Sequence, residues 1–323
     1  MGLLWTGFGI LQKNLNQVTE IPLFAMKANT ATPCQTIDLH GVQVVVKRED
    51  LNHPIVQGNK LRKLKYNLIE AKNQQKHHLL TFGGAYSNHL LATAFAAKKC
   101  GFKATGIVRG NELAYNQAVW SETLFRCQRL GMNLLFVSRA DYRLKEQAEV
   151  VKSQLAHIDR SFVLPEGGTN ALAIKGVAEI VAEIEQQTKT PTHIFCPVGT
   201  GGTLAGLVQG VAEQQWLCQV FGVSVLQGLQ SVKDEVKQWF KDMKNPPTWK
   251  ILDDFHCGGY AKTTPELVRF GITFEQQHGF SLDKIYNNKS FYALAQLIKS
   301  GQITNADRPL IIHTGGLQGG VNT

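Results

Sequence analysis

Short apolar runs alternate with segments of helical periodicity from about residue 78 of the chain. The pattern predicts strands at HLLTFGG, KATGIVRG and NLLFVS, and helices at SNHLLATAFAAKKCG and YNQAVWSETLFRCQRLG, which end at Gly101 and Gly131. Strands that alternate with helices in this way are typical of parallel βα units rather than of separate all-α or all-β lobes. The first half of the chain therefore predicts an α/β fold with a parallel sheet.

A second series of the same kind follows the loop PEGGTN. It predicts a helix over residues 171–188, strands at HIFCPVG, QVFGVSVL and PLIIHTGG, and helices that start at Thr203 and at Thr264. The start at Thr264 is well marked, because a hydroxyl can cap free N–H groups and Pro265 suits the first turn. Two series predict two sheets, and 323 residues are enough for two domains of ordinary size.

Composition and charge exclude several classes of protein. The chain is 43% hydrophobic and 18% charged, as globular proteins are, and no apolar run approaches the roughly 20 residues that span a bilayer. The apolar N-terminal stretch has no basic leading region and no small-residue cleavage site, so we expect a cytoplasmic protein. The net charge of +9 suits anionic metabolites or nucleic acid, but no aromatic-interleaved basic stripe or nucleic-acid motif is present. We therefore expect no nucleic-acid or membrane partner.

Cysteines and clustered polar residues give no sign of a metal site. The six cysteines include no CxxC pair and are expected to be reduced, packed thiols. The loop DDFHCGG holds its candidate ligands in one short segment without a second ligand pair, so we expect no metal. The densest basic cluster, Lys60, Arg62, Lys63 and Lys65, lies on a segment whose apolar face carries Leu61, Leu64 and Leu68. Most of these charges are expected to form a solvated helix face, with Lys60 as the exception.

Residues Gly199–Thr203, with the sequence GTGGT, predict an anion site. They lie between a predicted strand and a predicted helix, where glycines allow backbone N–H groups to approach a phosphate and the helix N-terminus adds partial positive charge. A dinucleotide fingerprint would need glycine in place of Leu204, and a P-loop would need a lysine after the glycines. A glycine turn with a purely structural role remains the alternative at this point.

Two further motifs, GGAYSNHL and QGNKL, each have an ordinary structural explanation when taken alone. In GGAYSNHL, residues 83–90, a strand ends in two glycines and a helix begins at Ser87 or Asn88, which provides a second helix N-terminus suited to a carboxylate. The same two residues could simply be helix caps. In QGNKL, Lys60 follows a glycine turn, and a lone lysine in such a position is usually a surface charge.

Taken in order, QGNK, YSNH, PEGGTN, GTGGT and HTGG resemble the motifs of the tryptophan-synthase-β-like class of pyridoxal-phosphate enzymes. Within that class the chain most resembles the family of D-cysteine desulfhydrase and 1-aminocyclopropane-1-carboxylate deaminase, from about residue 21 to residue 316. The resemblance implies two α/β domains with parallel sheets and the cofactor pyridoxal 5'-phosphate between them, usually in a homodimer. We place the large cofactor-binding domain at residues 1–62 and 168–323, and the small domain at residues 63–167.

The resemblance also implies roles for individual residues in binding a small amino acid. Lys60 matches the Schiff-base lysine of the GNK motif and, once displaced by substrate, is the natural base for the α-proton. The implied catalytic residues are Lys60, Ser87 and Tyr286. The implied cofactor-binding residues are Lys60, Asn88, Gly199, Thr200, Gly201, Gly202, Thr203, Tyr286 and Thr314, with Asn88 beside the phenolic oxygen and Thr314 near the pyridine nitrogen. The implied substrate-binding residues are Tyr86, Ser87, Asn88, His89 and Tyr260.

Three positions depart from one or other branch of the family. The deaminases carry a glutamate directly after the ring tyrosine, whereas Asn287 is neutral and cannot pair with a protonated pyridine nitrogen. His89 stands where those deaminases tend to have glutamine, and Tyr86 replaces the usual glutamine of QSNH. The first two departures favour β-elimination from D-cysteine, which gives pyruvate, ammonia and sulfide. The alternatives are 1-aminocyclopropane-1-carboxylate deaminase and, more remotely, a non-catalytic protein that binds the cofactor.

Overall fold

The computed structural model describes residues 21–25 and 31–317. The strands of this part of the chain are β1 (Cys34–Leu39), β2 (Val42–Lys47), β3 (His78–Gly83), β4 (Lys103–Arg109), β5 (Met132–Val137), β6 (Ser161–Leu164), β7 (His193–Val198), β8 (Gln219–Ser224), β9 (Trp249–Leu252) and β10 (Pro309–Ile312). Its α-helices are α1 (Pro22–Ala25), α2 (Asn59–Asn73), α3 (Asn88–Cys100), α4 (Glu122–Arg129), α5 (Arg139–Leu144), α6 (Glu149–Ala156), α7 (Ala171–Glu185), α8 (Gly202–Glu213), α9 (Gln230–Phe240), α10 (Pro265–His278) and α11 (Asn287–Lys299). No helix among the described residues is both long enough and apolar enough to cross a bilayer.

The chain folds as two units. The small unit contains residues 21–25 and Leu64–Glu166, and the large unit contains Ala31–Lys63 and the residues from Gly167 to Leu317. The small unit has a four-stranded parallel sheet in the order β5-β4-β3-β6. Five of the six residues of β3 are buried, as expected for a parallel strand that is covered on both faces. The predicted α/β class is confirmed.

The helix predicted over residues 115–131 is the clearest error in the small unit. The segment instead forms two short 3-10 turns, and the α-helix begins only at Glu122. The Ser121 hydroxyl accepts the Leu124 N–H at 3.3 Å and so caps the helix, while the Trp120 indole N–H donates to the Leu113 carbonyl at 2.8 Å. A polar cap and a tied-down aromatic side chain therefore override the helical periodicity before residue 121.

The large unit has a six-stranded sheet in the order β1-β2-β10-β7-β8-β9, in which only the β1–β2 pair is antiparallel. Side chains alternate across β7: Ile194 and Cys196 join the apolar cluster formed with α7 and α8, whereas Phe195 joins the cluster formed with α10 and α11. Because β2, β7 and β10 are parallel neighbours, their carboxyl ends lie at one edge of the sheet. The segments that follow these strands carry QGNK, GTGGT and HTGG, so the topology brings the three motifs to the same edge.

Candidate active site

Lys60 is the second residue of α2, and the turn that leads to it can be made only by glycine. Gly58 has φ of 67°, and a methyl group there would lie 1.7 Å from the carbonyl oxygen of Thr314. The Asn52 side chain accepts the Gly58 N–H at 2.9 Å and donates to the Gly58 carbonyl at 2.9 Å. The Asn59 N–H donates to the Thr314 carbonyl at 3.4 Å. The QGNK segment is thereby fixed directly against HTGG.

The glycine loop follows β7 and opens the 12-residue helix α8. Gly201 has φ of 76° and stands immediately before the helix. The Asn59 side-chain amide donates to the Thr203 hydroxyl at 2.7 Å, so the residue next to Lys60 is bonded to the first turn of α8. A methyl group on Gly202 would lie 2.5 Å from the Thr169 hydroxyl and 3.0 Å from Lys63 Nζ. The loop thus combines a helix N-terminus with two hydroxyls and a lysine, a donor set suited to phosphate.

Lys63 is a candidate cofactor-binding residue that the sequence did not predict. Its side chain is 2% exposed, and Nζ donates to the Gly167 carbonyl at 3.0 Å and to the Thr169 hydroxyl at 3.2 Å. Burial, together with the positive charge of Lys60, lowers the pKa of Lys63 well below its usual value. The expectation of a solvated helix face is therefore wrong for this residue. The spacing from Lys60 was the available signal, because residues three apart lie on the same side of a helix.

Arg62 is the second error in the predicted basic face. Its guanidinium pairs with Glu49 at 2.8 Å and with Glu183 at 2.5 Å, and Glu183 also pairs with Lys47 at 2.8 Å. Burial alone would raise the pKa of Glu49, but the ion pair with Arg62, the hydrogen bond from Thr32 and the charge of Lys47 together lower it. Arg62 therefore lies in a network of ion pairs and does not form part of a solvated helix face.

Tyr286 and Thr314 are held close to the glycine loop and to the Lys60 turn. Tyr286 precedes α11, and its ring lies 3.4 Å from the position of a methyl group on Gly199 and edge-on to the Tyr260 ring at 6.2 Å. Asn287 is fully buried, and its Oδ1 accepts the N–H and hydroxyl of Thr314 at 2.8 and 3.2 Å. The large unit therefore brings together the predicted residues Lys60, Gly199–Thr203, Tyr260, Tyr286 and Thr314.

The remaining predicted residues stand in the small unit, where β3 ends and α3 begins. The Ser87 hydroxyl caps α3 by accepting the Leu90 N–H at 3.3 Å, Asn88 is the first residue of the helix, and Tyr86 is 53% exposed. The His89 ring is buried, with Nε2 lying 2.9 Å from the Thr81 hydroxyl. Because that hydroxyl donates to the Leu164 carbonyl at 2.9 Å, His89 is the donor in the contact. The Nε2 N–H of His89 is thus directed at Thr81 within the small unit.

The residues of the large unit fit pyridoxal phosphate. Burial lowers the pKa of Lys60 to about 8, although the nearby Asp283 carboxylate opposes the fall. At pH 7.5 an amine with that pKa is neutral on the order of 100-fold more often than an ordinary lysine, and only a neutral amine can condense with an aldehyde. The glycine loop and Lys63 supply donors for the phosphate, and Tyr286 supplies an aromatic face.

Comparisons with known proteins agree with this site. Residues 25–315 match the family model described as pyridoxal-phosphate dependent enzyme. The chain is 31% identical over 303 residues to a putative 1-aminocyclopropane-1-carboxylate deaminase of Thermotoga maritima, covering 89% of this chain and 94% of that protein. It is 28% identical to the D-cysteine desulfhydrase of Serratia proteamaculans, covering 95% of this chain and 96% of that protein.

Among solved structures, a crystal structure of an ACC deaminase homologue superposes with a TM-score of 0.79 at 27% identity, covering 92% of this chain and 95% of that one. The match extends over both units, so it confirms the predicted fold type as well as its α/β class. The cofactor expected from the ordered motifs is confirmed by the family match. The chain is a member of the pyridoxal-phosphate-dependent enzyme family, in the branch shared by 1-aminocyclopropane-1-carboxylate deaminases and D-cysteine desulfhydrases.

Proposed function

We propose that this enzyme removes the β-substituent of a small amino acid, with D-cysteine as the leading substrate and pyruvate, ammonia and sulfide as products. The names of its relatives divide between this reaction and ring opening of 1-aminocyclopropane-1-carboxylate. The choice therefore depends on the residues around the cofactor.

The observation that carries the proposal is the setting of Asn287. Ring opening starts from a substrate without an α-hydrogen and needs strong electron withdrawal, which a carboxylate beside a protonated pyridine nitrogen promotes. Here the residue after Tyr286 is a neutral amide whose oxygen accepts from Thr314 and whose Nδ2 donates to the Gly315 carbonyl at 2.7 Å. The nearest partners proposed for the pyridine nitrogen are thus neutral, which suits elimination from a substrate with an acidic α-hydrogen.

We assign the cofactor to residues of the large unit. Gly199–Thr203 and Lys63 would hold its phosphate, Tyr286 would pack against its ring, and Thr314 would face the pyridine nitrogen. Asn88, in the small unit, would bond the phenolic oxygen. When bound, pyridoxal phosphate supplies an aldehyde for the amine of lysine or substrate and a ring that withdraws electrons from the α-carbon.

The chain's own residues supply binding and proton transfer. We assign the substrate carboxylate to the backbone amides of Tyr86–His89, because α3 is a 13-residue helix whose N-terminus favours an anion. We also assign Ser87, in the small unit, and Tyr260, in the large unit, to substrate binding. Lys60, with a pKa of about 8, can accept the α-proton near neutral pH and return it at a later step.

The test is a substrate panel with the purified enzyme loaded with cofactor. We expect sulfide and pyruvate from D-cysteine, measured separately by a sulfide dye assay and by lactate dehydrogenase, and no ammonia from 1-aminocyclopropane-1-carboxylate. L-Cysteine and D- and L-serine in the same panel define the stereochemistry and the leaving group. Ammonia release from the cyclopropane substrate at a rate equal to that from D-cysteine would overturn the proposal.

We further propose that the enzyme works in the cytoplasm as a homodimer, with domain boundaries near residues 62–63 and 167–168. The six cysteines are free thiols, which suits a reducing compartment, and the family resemblance favours the dimer. Light scattering after size exclusion should give twice the mass of one chain. A mass equal to one chain at micromolar concentration would contradict the dimer.

A further inference from the structure

Asp283 lies in none of the motifs, yet its buried carboxylate accepts four hydrogen bonds next to the site. Oδ1 accepts the Ile285 and Tyr286 N–H groups at 3.1 and 2.8 Å. Oδ2 accepts the Asn287 N–H at 2.8 Å and also the side-chain amide of Asn287. The residue is 7% exposed. One carboxylate thus fixes both the backbone at Tyr286 and the side chain of Asn287.

The groups that Asp283 holds lead directly to the cofactor candidates. Tyr286 packs against Gly199 of the phosphate loop. Asn287 Oδ1 accepts the Thr314 N–H. The Thr314 carbonyl in turn accepts the N–H of Asn59, the residue before Lys60. A shift of Asp283 would therefore move the ring contact and the Lys60 turn together.

The same carboxylate also acts electrostatically on the amine of Lys60. The charge of Asp283 raises the pKa of Lys60 against the effect of burial. A second titratable neighbour of Lys60 is Lys63 on its own helix, whose pKa is itself strongly lowered by burial. Lys289, on α11, also feels the Asp283 charge, but its Nζ donates to the Gly259 carbonyl at 2.7 Å. Within the described part of the chain, Asp283 is therefore the carboxylate whose charge acts on Lys60.

We propose that Asp283 is a positioning residue for the reaction: it orients Tyr286 and, through Asn287 and Thr314, the turn that carries Lys60. The inference rests on the proposed cofactor site. A helix cap with a purely structural role would stabilise α11 without any effect on the amine, so the two roles can be separated by experiment.

The experiment compares Asp283→Asn with Thr264→Ala, which removes the cap of the neighbouring helix α10, where the Thr264 hydroxyl accepts the Leu267 N–H at 3.2 Å. Three quantities are measured: Tm, the Kd for pyridoxal phosphate from its visible absorbance, and the pH midpoint of Lys60 labelling by an acylating reagent in the cofactor-free protein. The labelling is scored at Lys60 by mass spectrometry, so it needs neither cofactor nor turnover.

For Asp283→Asn we expect a rise in Kd of about tenfold or more, and a labelling midpoint at least about half a unit lower, because the charge that raises the pKa of Lys60 is gone. Thr264→Ala should lower Tm but keep the parental Kd and midpoint. Asp283→Glu, which retains the charge, should restore most of the midpoint. If Asp283→Asn does not fold, Asp283→Ser keeps a capping hydroxyl without the charge and is measured instead.

A parental midpoint and parental Kd in Asp283→Asn or Asp283→Ser, with only Tm reduced, would overturn the inference. Failure of the proposed function would appear in the substrate panel and would leave these three quantities unaffected. Failure of the proposed cofactor site would look different again. In that case the parent protein itself would bind no cofactor, while the Lys60 labelling midpoint would still report on the charge of Asp283.

Discussion

Replacing Gly58 by alanine perturbs the contact that fixes Lys60 relative to Thr314. The new methyl group would lie 1.7 Å from the Thr314 carbonyl oxygen, whereas carbon and oxygen seldom approach closer than about 3.3 Å. The two segments must therefore separate by about 1.6 Å, which breaks the hydrogen bond from Asn59 to Thr314. Misplacement of reacting groups by about 1 Å can lower a rate about 100-fold. We expect a loss of that size in kcat and a clear rise in the Kd for pyridoxal phosphate.

Gly41→Ala is the matched control. Gly41 has φ of 83°, and no heavy atom of the described residues lies within 4 Å of the methyl position. Both variants carry the left-handed backbone strain of about 1–2 kcal/mol, but only Gly58→Ala adds the clash. Differential scanning calorimetry gives the two Tm values, and titration of the visible absorbance gives the two Kd values. The reasoning fails if Gly58→Ala binds the cofactor as tightly as Gly41→Ala and unfolds at the same temperature.

Three further predictions follow from the buried charges. Lys63→Met should raise the Kd for pyridoxal phosphate by about 10- to 100-fold, because a charge-assisted hydrogen bond to the phosphate is lost. The Kd for unphosphorylated pyridoxal, measured by the same titration, should stay unchanged. An equal effect on both ligands would contradict the prediction. Glu49→Gln should lower the free energy of unfolding, measured in urea, by about 3 kcal/mol, because Arg62 loses a buried partner. Glu266→Gln, on the exposed face of α10, should have no measurable effect. Equal urea midpoints for the two variants would refute the prediction. The rate at which the cofactor-free protein binds pyridoxal phosphate should fall as the pH drops through about 8, because Lys60 must be neutral to react. Stopped-flow absorbance measures this rate. A midpoint near 10.5 would contradict the argument that burial lowers the pKa of Lys60.

The elements that the sequence predicted well are those whose apolar pattern reflects burial on both faces. Strands β3, β4, β7 and β10 read as short continuous apolar runs, and parallel strands covered by helices give that pattern. The start of α4 was misplaced because the periodic segment extends back beyond Ser121, and periodicity alone does not reveal the hydroxyl that caps the helix. Residues that mark helix ends explicitly, such as Gly101 at the end of α3 and Thr264 at the start of α10, were predicted correctly.

The ordered motifs led to most of the candidate site, but not to the charges that surround it. Lys63 and Arg62 read as solvated because their partners lie far away in sequence: Thr169 is 106 residues from Lys63, and Glu183 is 121 residues from Arg62. Asp283 left no signal either, since it stands four residues before α11 and its hydrogen bonds depend on how the chain turns there. Contacts of this kind become visible only when the fold brings distant segments together.

The claim that Lys60 is the residue that carries the cofactor can be tested directly. The loaded enzyme is reduced with borohydride, digested, and analysed by mass spectrometry for a lysine that bears the pyridoxyl group. The account predicts the label on Lys60 and its loss, together with the visible band and turnover, in Lys60→Ala. A label on Lys63 or on any other lysine, or full activity in Lys60→Ala, would contradict it.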